Sequence, residues 1–135
     1  MTAADSFFDT NVLLYLLSKD TAKADRAETL LASGGVVSVQ VLNEFVAVTT
    51  RKLAMTILEI REILSTIRAV CTVKPLDIET HDLGLDIAEH YKFSIYDALI
   101  VAAAARAECV ILYTEDLQHG QVIEKLRIQS PFVGS

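Results

Sequence analysis

Short apolar runs alternate with longer segments of helical periodicity along nearly the whole chain, and few folds accommodate that alternation. Ser6-Phe7-Phe8 is the first run and Val36-Val37 the second. Val110-Ile111-Leu112-Tyr113 is the clearest, continuous and apolar as a buried parallel strand should be. Between them the spacing predicts a helix over 12–17. A second begins near Asp20 or Thr21, either of which suits an N-cap, and runs to Gly34. The next helix is entered at Ser38, with Val39, Leu42, Val46, Thr49 and Leu53 at helical spacing. Ile57, Ile60, Leu64, Ile67 and Cys71 mark the stripe of another. Residues 70–73 read as a helix end or strand start. Helices follow over 79–91, buried through Leu83, Ile87 and Tyr91, and over 95–106. After the 110–113 strand come a short helix near 121–125 and a last strand around 127–128. Strands alternating with helices predict an α/β class with a mostly parallel sheet covered by helices.

The 135 residues suit one domain, 1–135, and a hydrophobic share of 52% excludes a disordered or fibrous chain. The longest uncharged stretch, 29–43, is interrupted by Gly34-Gly35 and falls short of the roughly 20 residues a membrane span needs. Asp5 and Asp9 precede the first basic residue, Lys19, unlike a secretory signal, so a cytoplasmic protein without a membrane partner is expected. Cys71 and Cys109 are too few and too isolated for a disulfide framework or zinc site, and read as buried thiols. The net charge of −6 counts against a protein that coats nucleic acid. It is compatible with a metal enzyme, because bound cations invert the local charge.

Acids recur where strands end and helices begin. Asp9 closes the first strand, Asp116 follows the 110–113 strand, Asp97 opens a helix, and Glu44 lies nearly two turns into the helix after the second strand. In open α/β sheets, ligands bind beyond the carboxyl ends of the strands, where such residues can converge. Clustered carboxylates repel one another unless protons or a cation neutralise them. Their hard oxygens suit Mg²⁺ or Mn²⁺, which activates water and stabilises charge on phosphate oxygens. Each acid also has a plainer role. Asp9 and Asp97 suit helix caps, the latter within Ser94-Ile95-Tyr96-Asp97. Glu44 shares a polar face with Gln40, Ala47 and Arg51, and Asp116 suits a loop. Arg51 lies seven residues after Glu44 on the same face and, with Lys52, suits either substrate phosphate or a solvated helix end. Glu79, Asp82, Asp86 and Glu89 form an acidic helix face expected to be solvated. His81 and His90 fall on that helix, and His119 follows Asp116.

Four segments taken together resemble the PIN-domain ribonucleases. Phe7-Phe8-Asp9-Thr10-Asn11-Val12-Leu13-Leu14-Tyr15 resembles the family's opening motif, and Val37-Ser38-Val39-Gln40-Val41-Leu42-Asn43-Glu44-Phe45 its second. Tyr96-Asp97-Ala98-Leu99-Ile100 with the following alanines resembles the third, and Leu112-Tyr113-Thr114-Glu115-Asp116 the fourth. The resemblance implies a three-layer α/β/α domain with a central, mostly parallel sheet. It implies Asp9, Glu44 and Asp97 as principal ligands of Mg²⁺ or Mn²⁺, with Asp116 as an outer ligand and Thr10, Asn11 and Thr114 as supporting groups. Small members of this size are mostly VapC toxins, which cleave RNA and are silenced by a VapB antitoxin, and most of which form homodimers. A housekeeping PIN nuclease and an inactive PIN scaffold acting through protein contacts remain alternatives, and Glu115 competes with Asp116 for the pocket. Phosphatases of the haloacid dehalogenase type need a second aspartate where Asn11 stands. A receiver-type phosphoacceptor needs a lysine after the late strand that is missing here.

Overall fold

The computed structural model describes residues 6–132; the expected domain 1–135 extends past them, residues 1–5 and 133–135 lying outside the described residues. The elements run β1 (Ser6–Phe8), α1 (Thr10–Tyr15), α2 (Thr21–Ala32), β2 (Gly35–Ser38), α3 (Val39–Leu53) and α4 (Ile57–Val70). They continue with β3 (Cys71–Lys74), α5 (Ile78–Tyr91), α6 (Ile95–Arg106), β4 (Ile111–Tyr113), β5 (Val122–Ile123) and β6 (Leu126–Gln129). The strands form one six-stranded sheet in the order β3-β2-β1-β4-β6-β5. Every pairing is parallel except the β5–β6 hairpin. The α/β architecture read from the alternation is thus present.

This order places the helices. From β1 to β2 to β3 the chain steps outward in one direction, and right-handed crossovers put α1 to α4 on one face. From β3 it jumps back across the sheet to β4, which sends α5 and α6 to the other face. The packing agrees: α5 lies against α6, and α1 against α2 and α3. Three α/β/α layers result. The stepping direction reverses between β1 and β4, so the ligand crevice of an open sheet belongs beyond their carboxyl ends.

The core fills both sides of the sheet. Phe7, Phe8, Val36, Val37, Leu112 and Ile128 are buried in the strands, with Val12, Leu13, Val41 and Phe45 above them. On the opposite face α6 is buried from Ala98 to Ala104, a helix apolar all round because sheet and α5 enclose it. Its close approach to α5 depends on Gly84, where an added Cβ would meet Leu99 Cδ2 at 2.6 Å. No helix among the described residues is long and apolar enough to cross a membrane. Glu79, Asp82, Asp86 and Glu89 form an exposed face on α5, as expected.

Three local expectations change. Residues 121–125 form no helix: Val122 and Ile123 pair with Arg127 and Leu126 as a hairpin, because Ile123, Leu126 and Ile128 all supply core contacts from extended backbone. The fully buried face of α3 is Val41, Phe45 and Thr49, while Val39 and Leu53 are exposed and Leu42 and Val46 only partly buried. Gln40, expected on the polar face, is buried and donates from Nε2 to the Tyr96 carbonyl at 3.2 Å. The helix turns this way because its apolar neighbours are the sheet and α1, which local periodicity does not reveal. Lastly, α1 starts at Thr10 rather than residue 12, since Asp9 caps it.

Candidate active site

Asp9 is the first residue beyond β1, and its backbone N–H donates to the Tyr113 carbonyl at the end of β4, 3.0 Å away. That bond pins it at the reversal point. Oδ1 accepts from the Thr10 N–H at 2.7 Å, so Asp9 does cap α1. Oδ2 accepts from Thr114 Oγ1, also at 2.7 Å. The side chain is 5% exposed. Burial pushes the carboxyl from its ordinary 3.8 up to about 6; the bonds from Thr114 and Thr10 oppose this, and the charges of Asp116 and Glu44 add to it.

The other acids come from three further elements. Glu44 is half-buried on α3 and accepts from Thr10 Oγ1 at 2.8 Å, which ties it to the start of α1 rather than leaving it as plain surface. Asp97 lies in the first turn of α6, its N–H donating to the capping Ser94 hydroxyl at 3.2 Å. Burial raises its carboxyl above the usual range, Ser94 opposes the shift, and the charge of Asp116 reinforces it. Asp116 is exposed, and its N–H donates to Thr114 Oγ1 at 3.0 Å. One buried hydroxyl, that of Thr114, therefore organises both Asp9 and Asp116. Neighbouring Glu115 takes the Tyr15 hydroxyl and does not line the cavity, so of the two adjacent acids Asp116 is the one that faces it.

All four acids line a single open cavity of about 520 Å³, together with Thr10, Asn11, Arg51 and Lys52. Thr114 stands fully buried behind Asp9. Leu14, Val48 and Ile100 supply apolar lining, and Tyr96 is a lining residue that the motif reading quoted without assigning a role. Its signal in the sequence was its place directly before the acid of the third motif. Of the histidines, His81 and His90 are exposed on α5, and His119 Nδ1 accepts from the Ser130 N–H at 3.0 Å; none lines the cavity.

Among the described residues, no three His, Cys, Asp or Glu side chains gather closely enough to make a ready ligand set for a metal. The carboxylates surround the cavity instead of meeting at a point. That spacing fits a hard cation such as Mg²⁺, which keeps several waters and binds through one or two carboxylates. The donors are oxygens, as such an ion requires. Asn11 adds an independent sign: its Nδ2 and Oδ1 are both buried and find no hydrogen-bond partner among the described residues, an arrangement that calls for a water or ligand at the cavity wall.

The family model described as PIN domain matches residues 6–125. A comparison with curated protein sequences finds no match. Among solved structures, VapC20 of Mycobacterium tuberculosis, described as a toxin cleaving the sarcin–ricin loop, superimposes with a TM-score of 0.66 at 21% identity. That alignment covers 82% of this chain and 89% of the other. A toxin–antitoxin complex from Klebsiella pneumoniae gives 0.72 at 19% identity, covering 94% and 98%. VapBC2 from Rickettsia felis, bound to a DNA fragment from its promoter, gives 0.65 at 18%, covering 93% and 97%. At these identities the likeness is one of fold.

Proposed function

The chain belongs to the PIN-domain family, and from that premise we propose that it is a divalent-metal-dependent endoribonuclease, the VapC-type toxin of a toxin–antitoxin pair. The observation that carries the reading is the convergence of Asp9, Glu44, Asp97 and Asp116 on one cavity, with the most buried of them held near 6. Such a set is costly without a counter-charge and useful with one. Asp9, Glu44 and Asp97 would hold Mg²⁺ or Mn²⁺, directly or through water, and Asp116 would complete the acidic wall. When bound, the metal would supply Lewis-acid stabilisation of the phosphate oxygens and an activated water.

The chain's own residues prepare that site. Thr114 and the Thr10 N–H fix both oxygens of Asp9, and the Thr10 hydroxyl orients Glu44. The Asn11 amide, unpartnered at the wall, offers a donor and an acceptor to water or substrate. Arg51 and Lys52, at the end of α3, would draw the phosphodiester backbone to an otherwise acidic cavity. A carboxylate or water would accept the proton of the attacking water, since no histidine lines the cavity. The toxin–antitoxin neighbours support a VapB-like antitoxin partner; the homodimer is inferred from the family resemblance alone.

The test is cleavage of single-stranded RNA with Mg²⁺, with Mn²⁺ and with chelator. Activity should require the metal and disappear in Asp97→Asn, whose thermal unfolding should stay cooperative. Retained cleavage by a well-folded Asp97→Asn protein would refute the assignment. Growth arrest on expression, relieved by the product of an adjacent antitoxin-like gene, distinguishes a toxin from a housekeeping nuclease. Cleavage absent with every divalent ion would favour a scaffold.

A further inference from the structure

Tyr96 lines the cavity beside Asp97 with 66% of its surface exposed, while α6 sinks into the core from Ala98 onward. A ring this exposed contributes little apolar burial to the fold. Its backbone is nonetheless fixed at two points. Gln40 Nε2 donates to its carbonyl at 3.2 Å, and the Ser94 cap holds the next N–H at the same distance. Gln40 is itself only 6% exposed, and its Oε1 lacks a partner, so α3 keeps a polar side chain in an unfavourable position while holding that carbonyl. The ring is therefore presented to solvent from a rigid base. Among the described residues that line the cavity, Tyr96 is the one aromatic, and the two cations, Arg51 and Lys52, come from the last turn of α3. A nucleic-acid strand repelled by four acids needs other holds. Cations suit its phosphates, and an aromatic face suits its bases.

We propose that the Tyr96 ring is the platform on which an unpaired nucleobase of single-stranded RNA stacks, with Arg51 and Lys52 taking adjoining phosphates. The proposal rests on the ribonuclease reading and adds a residue that selects unpaired over paired RNA. A base must leave its helix to stack on a protein ring, and every base has a face to offer. Tyr96 therefore sets strandedness, and base identity is read elsewhere.

The sequence contains no tryptophan, so Tyr96→Trp places a single indole at the platform. With Ca²⁺ replacing Mg²⁺ to hold the strand uncut, hexauridylate should quench that fluorescence. An abasic phosphodiester of equal length should not. Tyr96→Leu should bind hexauridylate roughly 5- to 150-fold more weakly, the range of one lost base–aromatic stack, with abasic affinity unchanged. Tyr96→Phe should stay within about twofold of the native protein, because the ring is kept. Equal quenching by the abasic strand, or full hexauridylate affinity in Tyr96→Leu, overturns the platform while leaving the nuclease intact. If the native protein neither binds nor cuts single-stranded RNA with any divalent ion, the ribonuclease reading falls and the platform with it. The exposed position keeps these variants folded, which unfolding temperatures check.

Discussion

Replacing Asp9 with asparagine should make the metal-free protein more stable at neutral pH while abolishing the RNA cleavage proposed for it. The carboxyl is raised from 3.8 to about 6, roughly two units, or about 3 kcal/mol at 1.36 kcal/mol per unit. Between those values the folded state holds a proton that the unfolded state has released. Stability therefore falls as pH rises from about 4 to 6, and the full cost persists above 6. Asparagine mimics the neutral form but serves Thr10 and Thr114 less well than two carboxylate oxygens do, a loss of about 1 kcal/mol. The net gain at pH 8 in chelator is then about 2 kcal/mol, roughly 6–10 °C in Tm for a chain of this size. At pH 4 the gain should vanish or reverse. Saturating Mn²⁺ at 100 times its Kd should stabilise the native protein by about 2.7 kcal/mol and leave Asp9→Asn unmoved, which reverses or closes the gap. Thermal unfolding of both proteins across pH 4–8, with chelator and with Mn²⁺, measures all of this. A less stable Asp9→Asn protein at pH 8 in chelator, or a gap independent of pH, would refute the claim that Asp9 is ionised against its surroundings. Equal stabilisation of both by Mn²⁺ would refute the metal-binding role proposed for it.

Other perturbations probe the supports. Thr114→Val removes the hydroxyl that donates to Asp9 and accepts from Asp116; cleavage should fall at least about tenfold and Thr114→Ser should restore it, a loss of charge-assisted hydrogen bonding worth about 1.5–3 kcal/mol. Loss of that donor also raises Asp9 further, so the pH at which metal-free stability levels off should move above 6. Gly35→Ala would bring a Cβ to 2.4 Å from Phe8 Cε2 and 2.8 Å from the Ser6 carbonyl oxygen. It should cost about 1–3 kcal/mol in urea unfolding through overpacking of β2 against β1. Asp77, held near 2 by hydrogen bonds from Thr80 and by the Arg106 guanidinium, stabilises the fold above about pH 4 and loses that contribution as pH falls toward 2. Asp77→Asn should therefore lower Tm at pH 7, with the difference closing as pH falls through about 2.

Their local structural roles do not explain why the acids share one cavity, which is why their convergence is informative. Asp9 could cap α1 from an exposed loop, as Asp20 caps α2 from the surface. Its burial beside Thr114 places the carboxylate against the cavity at the reversal between β1 and β4. Ordinary packing would put an apolar residue or a solvated turn there.

The sequence by itself determined the alternation of strand and helix, offered Asp9 and either Asp20 or Thr21 as helix caps, placed a helix entry at Ser38, and carried the four motifs. These are local matters: a period of two or 3.6 and a hydroxyl or carboxylate at a helix start are written in consecutive residues. It also carried the resemblance that singled out Glu44, whose neighbours suggest plain surface. Tertiary structure alone decided what depends on distant contacts. The strand order set Asp9 beside Thr114, a separation of 105 positions, and the packing of α1 on α3 brought Thr10 to Glu44. Tyr15 drew Glu115 away and left Asp116 to the cavity. The rotation of α3 buried Gln40 and so fixed the base of Tyr96, and core contacts turned 121–125 into a hairpin. Burial and charge at a carboxylate are sums over everything around it. For that reason the rise at Asp9 belongs to the folded molecule and has no trace in the eight residues that lead up to it.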